Sequence, residues 1–121
     1  MDKSGSKQVQ GYPKVIMDLP EADIPFKGVK AWIVQTESRQ LIFFEMQSDA
    51  VVPEHCHEYQ QWGMVIKGGM RLTVDGKTRA IRKGDEYLIP VHAKHSATFL
   101  TKTRVMDLFL EKTRYKTKTD K

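Results

Sequence analysis

The sequence predicts an all-β domain, closed as a sandwich or barrel, on three observations. Eight short runs rich in Val, Ile, Phe, Thr and Tyr, each bounded by Gly, Pro or Asp, recur between residues 29 and 110. Asp75 and Gly76 stand between two of these runs and suit a two-residue type I′ turn, both of whose positions need positive φ. No segment carries sustained helical periodicity.

The elements follow in chain order. Residues 1–11 are polar and predict a flexible N-terminal arm ahead of the first apolar run, Val15, Ile16 and Met17. Pro13, Pro20 and Pro25 exclude a long helix from the first 25 residues and leave 18–23 as room for one turn. Strands are expected at 29–35, 40–47, 62–66, 70–74, 77–81, 86–89, 97–100 and 104–110. In the second of them Phe43, Glu45 and Gln47 alternate with Phe44 and Met46, so one of the two sets lines the interior. Residues 12–110 thus read as a single domain, and 111–121 as a basic polar tail.

Size and charge exclude several functions. A chain of 121 residues has room for one core and none for a separate cofactor domain. The longest uncharged apolar run, 41–44, is far short of the roughly 18 residues a membrane-spanning helix needs. No apolar stretch follows the N-terminal charges, so no secretory signal is read and a cytoplasmic location is expected. The lone Cys56 cannot form an internal disulfide, which fits a reducing compartment. Of the net charge of +5, residues 111–121 hold +3, leaving a body with no basic stripe to track a phosphate backbone. Neither nucleic acid nor membrane is expected as a partner.

The chemistry-bearing stretch runs from Pro53 to Trp62 and is joined much later by His95. On a strand, i and i+2 share a face, so His55 and His57 would present two imidazoles in one direction while Cys56 points away. Gln61 and His95 would complete a four-ligand set, and three neutral imidazoles with an amide oxygen suit Zn, Ni, Mn or Fe. The alternatives are exposed imidazoles and an amide that hydrogen-bonds inside the barrel.

The spacing of these residues resembles the cupin family over about residues 28–110. The family's first motif has two histidines one residue apart, then a Glu and a Gly; the chain has His55, His57, Gln61 and Gly68. The second motif runs Gly, Pro, Gly, His; the chain has Gly84, Pro90, His92 and His95. The departures are Asp49 for a Gly, Gln61 for the usual Glu, His92 for a Gly and Phe99 for a final Asn. The resemblance implies a small jelly-roll β-barrel with one divalent metal in its mouth. Gln for Glu removes a negative ligand, so the ion keeps more of its charge, which favours Lewis-acid over oxygen chemistry.

Strand alternation at 104–110 puts Asp107 and Phe109 on one face and Met106, Leu108 and Leu110 on the other. A carboxylate inside a barrel costs several kcal/mol unless it is paired or put to work, so Asp107 is exposed, salt-bridged or functional. Asp107 with Phe109 resembles the small cupins that linearise unsaturated uronate sugars, which implies a catalytic role for Asp107. Those proteins place an Arg shortly after the Phe; Arg114 is the nearest match, one residue beyond that spacing. His92 reads as an exposed loop imidazole rather than a fourth histidine ligand. Trp62, Met64 and Ile66 would form an outward apolar stripe, sharing their face with a packed Cys56. The stripe needs a cover: the chain's own N-terminal segment or a second subunit, commonly in a two-fold dimer.

Together these features imply a metal-dependent isomerase, lyase or ring-opening enzyme acting on a small polar or acidic substrate, with Asp107 moving a proton. The rivals are a metal-dependent dioxygenase on the same ligands and a sugar-binding module without turnover.

Overall fold

The computed structural model describes residues 11–118. Pro13, with φ fixed at −65°, leads into a single helical turn, α1 (Lys14–Met17), stapled one turn on by Lys14 and Asp18 at 2.7 Å. Pro20 then bars the residue before it from helical geometry. The turn expected at 18–23 therefore forms earlier, between two prolines. The expected arm lies outside the described residues except for Gly11.

Nine strands follow among the described residues: β1 (Val29–Gln35), β2 (Gln40–Met46), β3 (Val51–His55), β4 (Gln61–Lys67), β5 (Gly69–Val74), β6 (Lys77–Arg82), β7 (Glu86–Ile89), β8 (His95–Phe99) and β9 (Thr103–Phe109). They make two antiparallel sheets, ordered β1-β2-β9-β4-β7 and β3-β8-β5-β6. The fold is an all-β jelly roll, as the sequence predicted. Eight strands match expectation to within two residues at either end; β3 is the addition. Pro53 and Glu54 hide it, and its place at a sheet edge tolerates the amide hydrogen that proline lacks.

The turn between β5 and β6 has φ of 49° at Asp75 and 82° at Gly76, the positive pair a type I′ turn requires. Asp75 also ties this turn to the chain entering β8, taking the Lys94 N–H on its carboxylate at 3.0 Å.

Period-two burial fixes which faces form the core. On β2, Gln40, Ile42, Phe44 and Met46 are buried, so the set containing Phe44 lines the interior. Ile33, Ile42, Ile81 and Ile89 are almost wholly enclosed, each contributing about 1.5–3 kcal/mol of apolar burial. On β4 and β9 the inward residues are Gln61, Gly63 and Val65, and Thr103, Val105, Asp107 and Phe109. Trp62, Met64 and Ile66 face out and are half-buried.

Both chain ends pack on this frame. Tyr12 lies edge-on against Trp32 and Phe43 on the outer face of the five-stranded sheet, and its hydroxyl hydrogen-bonds the carbonyls of Phe44 and Val105. The N-terminal segment therefore covers the β1–β2 part of that face. At the other end, the opening of the predicted tail is a strap. The Gln40 side chain hydrogen-bonds both the N–H and the carbonyl of Tyr115, Thr117 bridges to Ala22, and Lys118 pairs with Glu21 at 2.9 Å.

Candidate functional site

Three imidazoles meet at one end of the barrel. His55 closes β3 and is paired with His95, the first residue of β8. His57 lies beyond β3 in the connection to β4, not on a strand with His55 as the i, i+2 pattern predicted. The pairing of β3 with β8 shifts between Val52 and His55, and the strand stops. The next segment is held by the His92 N–H, which donates to the His57 carbonyl at 2.8 Å. The rings still converge, with one ligand atom from each of the three within 4.8 Å of the others.

Backbone carbonyls orient every ring. Nδ1 of His55 lies 2.9 Å from the Pro53 oxygen, that of His57 2.7 Å from the Tyr59 oxygen, and that of His95 2.8 Å from the Ala93 oxygen. A neutral imidazole that donates from Nδ1 keeps its lone pair on Nε2, so this shell sets the tautomer metal ligands require. His95 Nε2 is buried with no hydrogen-bond partner among the described residues. His57 Nε2 lies 3.1 Å from Gln61 Oε1; with the ring proton on Nδ1, toward the Tyr59 carbonyl, both atoms offer lone pairs, an arrangement a shared cation satisfies. Desolvation lowers the pKa of His55, and lowers that of His95 to about 4, with the neighbouring histidines and Arg114 adding to the shift. Both rings are therefore neutral near pH 7. The donor set fits a divalent transition metal.

Gln61 leads on to Asp107, which is buried inside the barrel. Its carboxylate accepts the Tyr87 hydroxyl at 2.7 Å and the Gln61 amide, and burial raises its pKa to about 6 against the lowering pull of those two donors. Asp107 is thus neither exposed nor salt-bridged among the described residues; it is paired through neutral hydrogen-bond donors. Gly63, paired with both Asp107 and Tyr87, lies between them, and a Cβ there would overlap the Tyr87 hydroxyl and Asp107 Oδ1.

An inner cavity of about 60 Å³, lined by His55, Gln61, His95, Asp107, Phe109 and Arg114 among others, adjoins an outer recess of about 600 Å³. The two share Phe26, His55, Arg114 and Tyr115. The strap brings Arg114 there, its guanidinium 4.8 Å from the Tyr115 ring centroid and 5.8 Å from that of Phe109. His92 points to solvent, as expected, and Cys56 is exposed at the outer recess rather than packed.

Sequence reasoning missed Tyr87, Gly63 and Tyr59, whose ring stacks on His57 at 4.3 Å. A glycine inside an otherwise apolar strand was the available signal for the first two, since it marks a close approach from a neighbour.

The sequence profile of the cupin domain matches residues 42–109, over half the chain and across both histidine motifs. The chain is a cupin. No curated protein matches it. Among solved structures, this cupin is similar to KdgF from Halomonas sp., with 27% identity, 77% of this chain and 88% of that one covered, and a TM-score of 0.69. It is similar to an RmlC-like cupin from Shewanella frigidimarina at 23% identity, covering 78% and 86%, with a TM-score of 0.71. A variant of salicylate 1,2-dioxygenase from Pseudoaminobacter salicylatoxidans matches at 14% identity over 69% of this cupin and 26% of that chain, with a TM-score of 0.65. The last two likenesses speak for the fold alone.

Proposed function

We propose that this cupin is a single domain, its strap included, that acts as a metal-dependent enzyme on a small acidic, sugar-like substrate, by isomerisation, elimination or ring opening. The observation that carries the reading is the unpartnered, buried His95 Nε2 converging with His55 and His57. His55, His57, Gln61 and His95 hold one divalent ion. When bound, the ion polarises a carbonyl or hydroxyl oxygen.

The chain's own residues supply the rest. Asp107, with its carboxyl near pKa 6, is poised to take and return a proton near neutral pH. Arg114, on the wall shared by cavity and recess, offers a fixed cation to a substrate carboxylate. The inner cavity takes the reacting group, and the outer recess holds the remainder of the molecule. The likeness to KdgF, with the resemblance to uronate-linearising cupins at Asp107 and Phe109, supports an unsaturated uronate as the substrate class. The half-buried apolar stripe of β4 supports a homodimer through the outer face of the five-stranded sheet.

Elemental analysis of protein purified without chelator tests the centre. About one transition metal per chain is expected, and none in a His55→Ala, His95→Ala double variant. No metal in the unsubstituted chain, even after incubation with Zn, Ni, Mn and Fe, overturns the reading. Loss of the conjugated-alkene absorbance of an unsaturated uronate, abolished by Asp107→Ala, tests the chemistry.

A further inference from the structure

An amide ligand poses a problem a carboxylate does not. Its two ends are nearly the same shape, yet only the oxygen can face a cation, and the NH₂ group turned inward would repel it. In this barrel the amide of Gln61 is spoken for at one end. It donates to Asp107, so Oε1 is the end that faces His57 Nε2 at 3.1 Å.

Asp107 is held in turn. Tyr87, on β7, reaches across β4 to donate its hydroxyl to Oδ1 at 2.7 Å, passing over Gly63, where any side chain would block it. Three adjacent strands, β9, β4 and β7, thus contribute one residue each to a hydrogen-bonded line, Tyr87 to Asp107 to Gln61, whose last member turns its oxygen to the histidines. Both donors enter the same buried carboxylate.

We propose that Tyr87 and Asp107 are positioning residues for Gln61, fixing its amide so that the oxygen and not the nitrogen faces the three-histidine centre. The inference rests on the reading of His55, His57, Gln61 and His95 as a metal site, and adds a second duty to Asp107. It also accounts for Gln61 itself. A Glu in its place would set two carboxylates against each other in a buried site, whereas Gln donates to one and offers an oxygen to the other side. Residues 61 and 107 are a matched pair.

The test is Co(II) binding by the full chain, read as a dissociation constant by chelator competition and as the visible absorption spectrum of the bound ion. Tyr87→Phe, which keeps the ring and removes the donor, is expected to weaken binding about 10-fold and to shift the absorption bands. In a Gln61→Ala background the same change is expected to add nothing, because no amide is left to orient. Asp107→Asn, which keeps the shape and removes the charge, is the second variant and should weaken binding at least as much. Unchanged affinity and spectrum in both variants overturn the inference. So does a loss from Tyr87→Phe of the same size with and without Gln61, which would place its effect in packing. Failure of the underlying reading looks different: the unsubstituted chain would then bind no Co(II), or the His55→Ala, His95→Ala variant would bind it as well as the unsubstituted chain.

Discussion

Asp107 ties stability to pH in a direction opposite to that of most carboxylates. Its folded pKa is raised to about 6 from an ordinary 3.8, so its contribution to stability is whole below about pH 4 and is lost as pH rises through 6. In metal-free protein, Asp107→Asn is expected to raise the unfolding free energy by about 2–3 kcal/mol at pH 8 and to change it little at pH 4. Urea denaturation at the two pH values checks this. His95 works the other way: its folded pKa is lowered to about 4, so its contribution is present above 6.5 and is lost as pH falls through 4. At the same scale, His92 holds a φ of 67°, the left-handed region, where the family's motif places Gly. His92→Gly should leave metal binding intact and raise stability by about 0.5 kcal/mol, measured by the same denaturation. The sequence showed that departure but not its cost, because φ is a property of the fold. It named His55, His57, Gln61, Asp107 and His95 by type and spacing, and the structure gathers all five.

Strands were legible because alternation and turn residues are local signals, and β3 was not, because proline and glutamate in an edge strand look like loop. Local signals also fail at β4. Its alternation puts Gly63 on the inner face but cannot say what crosses there. Gly63→Ala would force Tyr87 and Asp107 apart and is expected to cost about 1–3 kcal/mol of stability, read from denaturant midpoints. The strap shows the same limit. Lys112 to Lys118 carry the composition of a solvated tail, yet their backbone is tied to Gln35, Gln40, Ala22 and Asp23, contacts far away in sequence. Nothing in residues 111–118 taken alone announces that Arg114 belongs at the site.

For the whole molecule, cupin membership was readable because two motifs in order, joined by a hairpin, leave few other folds. Assembly was not, since an apolar stripe does not name its cover. Tyr12 covers Trp32 and Phe43, while Leu88 on β7 is 54% exposed beside the half-buried Trp62. If two copies meet on this face, Leu88→Glu should convert a dimer to a monomer by light scattering on a sizing column, with metal content unchanged.

Among the described residues, no helix is long and apolar enough to cross a membrane. The strap is clasped to the segment that leads into β1. Ala22 and Thr117 share a β-bridge, and Lys118 is hydrogen-bonded to Glu21. The two segments hold each other in place across more than ninety residues of sequence. Cutting the strap between Leu110 and Arg114 would therefore loosen two segments at once, the strap itself and residues 21–23. A chain nicked there should keep its metal stoichiometry, because His55, His57 and His95 all lie outside the two loosened segments.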